Sequence, residues 1–294
     1  MTAETKEAKP GWRDIFAALG KRKSAAMFVL GFASGLPYIL ITGTLNAWFT
    51  NEHIDVKTIG VFSWIIIIYG FKFLWSPAVD RAPTPPLFNM GQRRAGILIL
   101  QGVIVAALAV ISTVSPQTNI GVIAMAAVVC TFASSCQDIL IDAWRIEVAD
   151  EETSIDILSS VYQIGYRIAA ILGGAGALIM AARIGWDHTF VALAALMALA
   201  VTGAFIAVDG PVRPKIVDID AGAPPPQWRN LALTPVIAGW AWSFAALFGF
   251  MALALSHPEA ANARVFTLQT GPLIVIAAIF APVGASALML ALRG

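Results

Sequence analysis

"IGVIAMAAVVCTFASSCQDILIDAWRIE", Ile120 to Glu147, is apolar for most of its length and charged at its end. An apolar stretch of about 20 residues is the signature of a helix that crosses a bilayer, and this one predicts a span at residues 120–142. On that helix Asp138, Asp142 and Arg145 share one face at i, i+4 and i+7. Thr131 and Ser134 extend the same face toward the bilayer centre, whereas Glu147 points the opposite way, toward the loop. Charges are costly in hydrocarbon, so their presence on one face needs a functional or structural reason.

The rest of the chain follows the same pattern. Of 294 residues, 58% are hydrophobic and 13% charged, with a mean hydropathy of +0.77. Soluble domains carry about 25% charged residues, so this chain has too little polar surface to coat a soluble fold. Eight spans are expected, at about 24–50, 58–80, 96–113, 120–142, 157–182, 188–208, 231–254 and 265–291. The fold class is therefore all-α: a polytopic transmembrane helical bundle. Lys21, Arg22 and Lys23 precede a first apolar stretch too long for a signal peptide, so a retained helix is expected.

Of the 19 basic residues, only Lys57, Arg183 and Arg264 fall in outer loops, with Lys72 and Arg167 inside spans. The rest lie on one side, which puts the N-terminus and C-terminus in the cytoplasm. The net charge of +1 reflects that topology and gives no sign of nucleic-acid binding. Cys130 and Cys136 sit six residues apart on the fourth span, point in different directions and match no metal motif. His53, His188 and His257 all fall in outer loops, so proton chemistry inside the bilayer is left to carboxylates. No metal and no cofactor are expected.

Four segments are expected: a cytoplasmic N-terminal stretch at 1–23, a six-helix unit at 24–208, a linker at 209–230 and two further helices at 231–294. The linker, "DGPVRPKIVDIDAGAPPPQWRN", is rich in proline and charge. "FASGLPYILI" (Phe32 to Ile41) and "FASSCQDILI" (Phe132 to Ile141) match at six of ten positions, 100 residues apart. Read as chance, the match reflects a restricted alphabet. Read as duplication, it equates the first and fourth spans, as two inverted three-helix repeats would.

Between the second and third spans, "PAVDRAPTPPLFNMGQRRAG" carries Asp80-Arg81 and Gly91-x-Arg93-Arg94. A carboxylate and several guanidinium groups at packed helix ends can bond in one conformation and part in another. This pattern resembles, loosely, the loop signature of the major facilitator superfamily. A closer resemblance covers residues 28–210. "GFASGLPYILITGTLNAWF", "KTIGVFS", "KFLWSPAVDR", "GQRRAGILILQ" and "QDILIDAWRIE" resemble, in order, the AmpG-type muropeptide permeases, a branch of that superfamily. The chain is also similar to acetyl-coenzyme A transporters of internal membranes.

The resemblance implies import of anhydromuropeptides into the cytoplasm across a bacterial inner membrane, driven by protons, with the lipid bilayer as solvent. The family has twelve core helices, so a C-terminal half is missing from the eight expected here. The seventh and eighth could be an inserted pair or the start of that half. A chain without it would lack one wall of the transport cavity.

Arg167 falls near the middle of the fifth span, in a polar stripe with Ser160 and Gln163 and beside Tyr166. It cannot lose its charge and is expected to face inward, either as an anchor for a substrate carboxylate or as the ion-pair partner of an aspartate on the fourth span. Lys72 lies toward the cytoplasmic side of the second span, where it can snorkel or touch substrate. Tyr38, Thr42 and Asn46, with Ser34, form a stripe on the first span suited to sugar hydroxyls, beside glycines suited to close packing. Asp138 is the clear carboxylate inside the apolar layer and the candidate for proton coupling. Asp80, Arg81, Arg94, Asp142 and Arg145 are the candidate gating network.

With no intramembrane histidine and no phosphate-binding glycine loop, an enzyme is not expected. The reading is a proton-linked importer of anhydromuropeptides. A carrier of another bulky anion, such as an acyl-coenzyme A, and a non-transporting fragment are the alternatives.

Overall fold

In the computed structural model, residues 19–81, 87, 90–210 and 238 are described. The linker beyond Gly210, the seventh and eighth expected spans (Ala238 apart) and most of the 1–23 segment lie outside them. So does the Arg81 side chain. The chain divides into two units, Met1–Pro211 and Val212–Gly294, and the described helices belong to the first.

Five helices in it are long and apolar enough to cross a membrane: Arg22–Asn51, Gln92–Ser112, Pro116–Val148, Ile155–Ile184 and Trp186–Ile206. These are the first, third, fourth, fifth and sixth expected spans. The second is not one continuous helix. It runs as Val56–Ser63, Ile67–Gly70 and Ser76–Arg81, joined by 3-10 turns at Trp64–Ile66 and Lys72–Leu74. Gly70 ends the middle piece, and Pro77, which has no N–H to donate, is tolerated only because a new helix starts at Ser76.

Local chemistry sets the helix ends. Ser154 caps the fifth span, its hydroxyl accepting from the Ile157 N–H at 3.4 Å. Gly185 turns the chain between the fifth and sixth spans at φ +82°, a conformation that favours glycine. Two spans are interrupted inside. The first contains Pro37 and then a π-turn at Leu40–Thr44, and the fifth has a π-turn at Leu172–Gly176. The two turns touch, and the Thr44 hydroxyl donates to the Gly173 carbonyl across the contact.

The first span packs along the fifth, and the fourth packs along the third and against the pieces of the second. The sixth lies against the third and the first, and the first crosses the fourth. Exchanging spans one to three with four to six maps the first-fifth pair onto the fourth-second pair, and the first-sixth pair onto the fourth-third pair. That exchange is what the Phe32/Phe132 duplication requires of the fold.

The first-fifth contact is made by glycine. A Cβ at Gly31 would sit 2.3 Å from the Tyr162 carbonyl oxygen, and one at Gly165 would sit 2.1 Å from the Phe28 carbonyl oxygen. In a bilayer no hydrophobic drive holds helices together, so close backbone approach through small residues supplies the contact. At the end bearing Lys21, Arg22 and Lys23 (the basic end), polar side chains tie the chain ends. Arg22 donates to the Ile206 carbonyl at 2.7 Å, and the Trp144 indole donates to the Val208 carbonyl at 2.7 Å. Lys23 donates to the Val148 carbonyl at 2.8 Å and pairs with Asp150 in the loop beyond, with the Thr153 N–H on the same carboxylate. Lys23 holds that exposed carboxyl below the usual aspartate range.

Gly165→Ala should therefore force the first and fifth spans apart and cost about 2 kcal/mol in thermal unfolding followed in detergent micelles. Gly102→Ala, where an added Cβ meets nothing within 4 Å, should leave the transition unchanged or slightly higher.

Candidate functional site

The rotation fixed by the glycine contact decides which residues of the fifth span face the bundle. With Gly165 against Phe28, the side carrying Tyr162, Tyr166 and Ala169 turns inward. Gln163 and Arg167 lie a quarter-turn or more away and are exposed. The expected ion pair of Arg167 with an aspartate of the fourth span is not formed, and Arg167 has no ion pair among the described residues. Its guanidinium lies on the open flank of the fifth span.

The fourth span does present one polar face. Ser134 is fully buried, Asp138 is half-buried, and Asp138 Oδ1 is sealed from solvent with the Ser34 hydroxyl beside the carboxylate. Asp138 lies within electrostatic reach of Lys72, Tyr69, Tyr162, Tyr166 and Asp142. One turn along, Asp142 accepts from Arg145 Nη2 at 2.9 Å and stands 3.9 Å from Lys72 Nζ. The Arg145 guanidinium also lies 5.5 Å from the centre of the Tyr162 ring. Lys72 therefore reaches the carboxylate group itself, and Asp142 and Arg145 are tied to it and to each other.

Beside these charges is an aromatic cluster. Tyr38 of the first span meets Tyr69 of the second edge-on, with centroids 5.0 Å apart, and Tyr166 of the fifth at 6.4 Å. Tyr162 and Tyr166 are 6.2 Å apart. Further along the first span the expected polar stripe bonds to its own helix. The Thr42 hydroxyl donates to the Tyr38 carbonyl at 2.8 Å, and the Asn46 amide donates to the Thr42 carbonyl at 3.1 Å. Their oxygens remain as acceptors.

At the basic end the expected network is rearranged. Asp80 pairs with Arg93 at 2.5 Å, and the same guanidinium reaches Glu147 at 2.7 Å. Arg93 thus bridges the second, third and fourth spans. Glu147, expected to point away toward the loop, turns back because that arginine offers it the nearest compensating charge. Arg94 faces the other way. It pairs with Asp209 at 2.9 Å and donates to the Ala204 and Phe205 carbonyls, while the Gly91 N–H donates to Asp209 at 2.8 Å. The five expected gating residues are therefore not one network. Asp80 and Arg94 belong to two adjacent clamps, Asp142 pairs separately with Arg145 and Lys72, and the Arg81 side chain is outside the described residues.

The chain is 44% identical over 177 residues to the anhydromuropeptide permease of Escherichia coli (strain K12), covering 60% of this chain and 35% of that protein. It is 35% identical over 176 residues to putative transporter AmpG 4 of Rickettsia felis, covering 59% and 42%. The chain is thus similar to AmpG-type permeases over about 60% of its length. Each alignment spans less than half the length of the curated relative. No family model matches. The fold resembles the crystal structure of the POT family transporter PepTSo at a TM-score of 0.50 and 15% identity, covering 95% of this chain and 53% of that one. At that identity the likeness concerns the fold alone.

The AmpG-type motifs supply most of the site. Ser34 and Tyr38, Lys72 and Asp80, Arg93 and Arg94, and Asp138 to Glu147 all lie in those motifs. Sequence reasoning misses Tyr69, Tyr162 and Arg93 as site residues. Arg93 shares its motif with Arg94 and is open to detection there. Tyr69 and Tyr162 lie outside the motifs, and only the packing of the spans brings them in.

Arg93→Gln should leave Asp80 and Glu147 facing each other without a cation and destabilise the fold by about 3 kcal/mol. Adding Asp80→Asn and Glu147→Gln to that variant should recover part of the loss in the same melting experiment. A triple variant no more stable than the single one would show that the bridge contributes nothing.

Proposed function

We propose that the chain works in a secondary active transporter that imports anhydromuropeptides across the inner membrane by proton symport, with its N-terminus in the cytoplasm. The relatives named as permeases support the substrate, and the asymmetry of basic residues supports the orientation. The observation that carries the coupling is Asp138, a carboxylate within the apolar layer whose Oδ1 is sealed from solvent and which shares the reach of Lys72 with Asp142.

A low-dielectric site favours neutral arrangements. When Lys72 stays with Asp142, a proton on Asp138 neutralises it. When Lys72 moves toward Asp138, the proton is released, and Arg145 holds Asp142 alone. Two such arrangements of differing proton affinity, one in each access state, are what symport requires. Tyr38, Thr42 and Asn46 line the first-span side of the substrate path, and Gln163 and Arg167 offer hydrogen bonds and a fixed positive charge to substrate carboxylates from the fifth. The clamps at Asp80 and Arg94 act as the cytoplasmic gate, closed when paired and released as the helices rock.

Asp138→Asn should abolish accumulation of labelled anhydromuropeptide against a gradient in proteoliposomes, while downhill exchange persists. Concentrative uptake by that variant under an imposed pH gradient would place coupling elsewhere. Uptake by cells lacking their own permease tests the substrate directly.

A further inference from the structure

Ser34 on the first span and Ser134 on the fourth occupy matching places in the two "FAS" segments, 100 residues apart, and both are fully buried. Each hydroxyl meets a tyrosine. Ser134 meets Tyr69 of the second span, and Ser34 meets Tyr162 of the fifth. Exchanging spans one to three with four to six maps the spans of one pair onto those of the other. The pairs differ in one respect: Ser34 also stands beside the Asp138 carboxylate, so its hydroxyl joins the fourth span to the fifth. Its neighbours on the helix fix its place, since Gly31 packs on the Tyr162 carbonyl and Gly35 on the Tyr166 carbonyl.

A serine hydroxyl has one proton to donate and oxygen lone pairs that accept. A charged Asp138 can only accept, so the Ser34 O–H turns to it and the Ser34 oxygen accepts from the Tyr162 O–H. A protonated Asp138 can donate. Its O–H then turns to the Ser34 oxygen, and the Ser34 O–H turns to the Tyr162 oxygen. The only bond made is the O–H of Asp138, and both hydroxyls stay neutral. What reverses is the direction of the chain, and Tyr162 passes from donor to acceptor. Hydrogen bonds in a row polarise one another in a low-dielectric interior, so the reversal involves all three groups.

The other groups around Asp138 lack this property. Lys72 and Tyr69 face it from the second span, Tyr166 from the fifth with Tyr38 of the first behind it, and Asp142 and Cys136 from its own helix. Lys72 can only donate, and it leads back to Asp142 on the helix that carries Asp138. Arg93 and Arg94 of the third span are engaged at the basic end with Asp80, Glu147 and Asp209. Tyr162, by contrast, has its carbonyl in the tight contact of the first and fifth spans and its ring beside the Arg145 guanidinium.

We infer that Ser34 is a positioning residue that reports the protonation of Asp138, on the fourth span, to Tyr162 and so to the glycine-packed pair of the first and fifth spans. This rests on the reading of Asp138 as the proton-coupling carboxylate, and names the side chain through which that proton acts on the bundle.

The test is infrared difference spectroscopy of the purified full chain between acidic and alkaline pH, with its tyrosine rings isotopically labelled. The protonated carboxyl stretch that Asp138→Asn removes belongs to Asp138. A tyrosine ring signal that Tyr162→Phe removes should accompany it. Ser34→Ala, which loses an oxygen and adds no volume, should keep the carboxyl band, moved to higher wavenumber, and lose the tyrosine signal. Ser134→Ala, whose serine serves Tyr69 instead, should keep both. Unaltered melting temperatures in detergent would show that these variants are folded, and Tyr162→Phe reads the same link from its other end. A tyrosine signal that survives in Ser34→Ala or in Tyr162→Phe overturns the inference, as does one lost equally in Ser134→Ala. In each of those outcomes the Asp138 band still titrates, and the coupling reading stands. Absence of any titrating Asp138 band in the unmodified protein would instead overturn the coupling reading, and the inference with it.

Discussion

The contact on which the rest of this unit depends is the backbone approach of the first and fifth spans at Gly31 and Gly165. An added Cβ would fall 2.3 Å and 2.1 Å from opposing carbonyl oxygens, so the two helices have one workable rotation. That rotation turns Tyr162 and Tyr166 toward the fourth span and leaves Gln163 and Arg167 exposed on the flank of the fifth. In lipid, where apolar side chains gain nothing by leaving their solvent, such approach substitutes for a hydrophobic core. The facing π-turns further along the same pair extend the contact, with Thr44 donating to a carbonyl of the fifth-span turn.

The second constraint is compensation of charge. Arg93 serves two carboxylates, Asp142 is served by two cations, and Arg94 ties the third span to the end of the sixth. Each arrangement can be undone without creating new charge, by moving one side chain from one partner to another. This property suits a gate better than permanent neutralisation does, because the two states then differ by little. Asp138 differs from the others: it has no direct ion pair among the described residues, and its nearby cation, Lys72, is shared with Asp142.

The match between the Phe32 and Phe132 segments also has physical consequences. Ser34 and Ser134, matched by sequence, lie on spans that cross each other, so the two copies bring equivalent hydroxyls toward one region. At the next matched polar positions the copies diverge, with Tyr38 in one and Asp138 in the other.

The sequence by itself determined the membrane-spanning class and the place of five spans, because apolar length is set by bilayer thickness and needs no tertiary knowledge. It also singled out Asp138, Asp142 and Arg145 as one face, because helical periodicity is local. The broken second span was less legible: its apolar run hid the effects of Gly70 and Pro77. Tertiary structure alone decided that Arg167 lies on an open flank, that Glu147 turns back to Arg93, and that four tyrosines scattered over 129 positions of sequence come together. A helix has a face before it packs, but which neighbour that face meets is fixed by where glycine allows two backbones to touch.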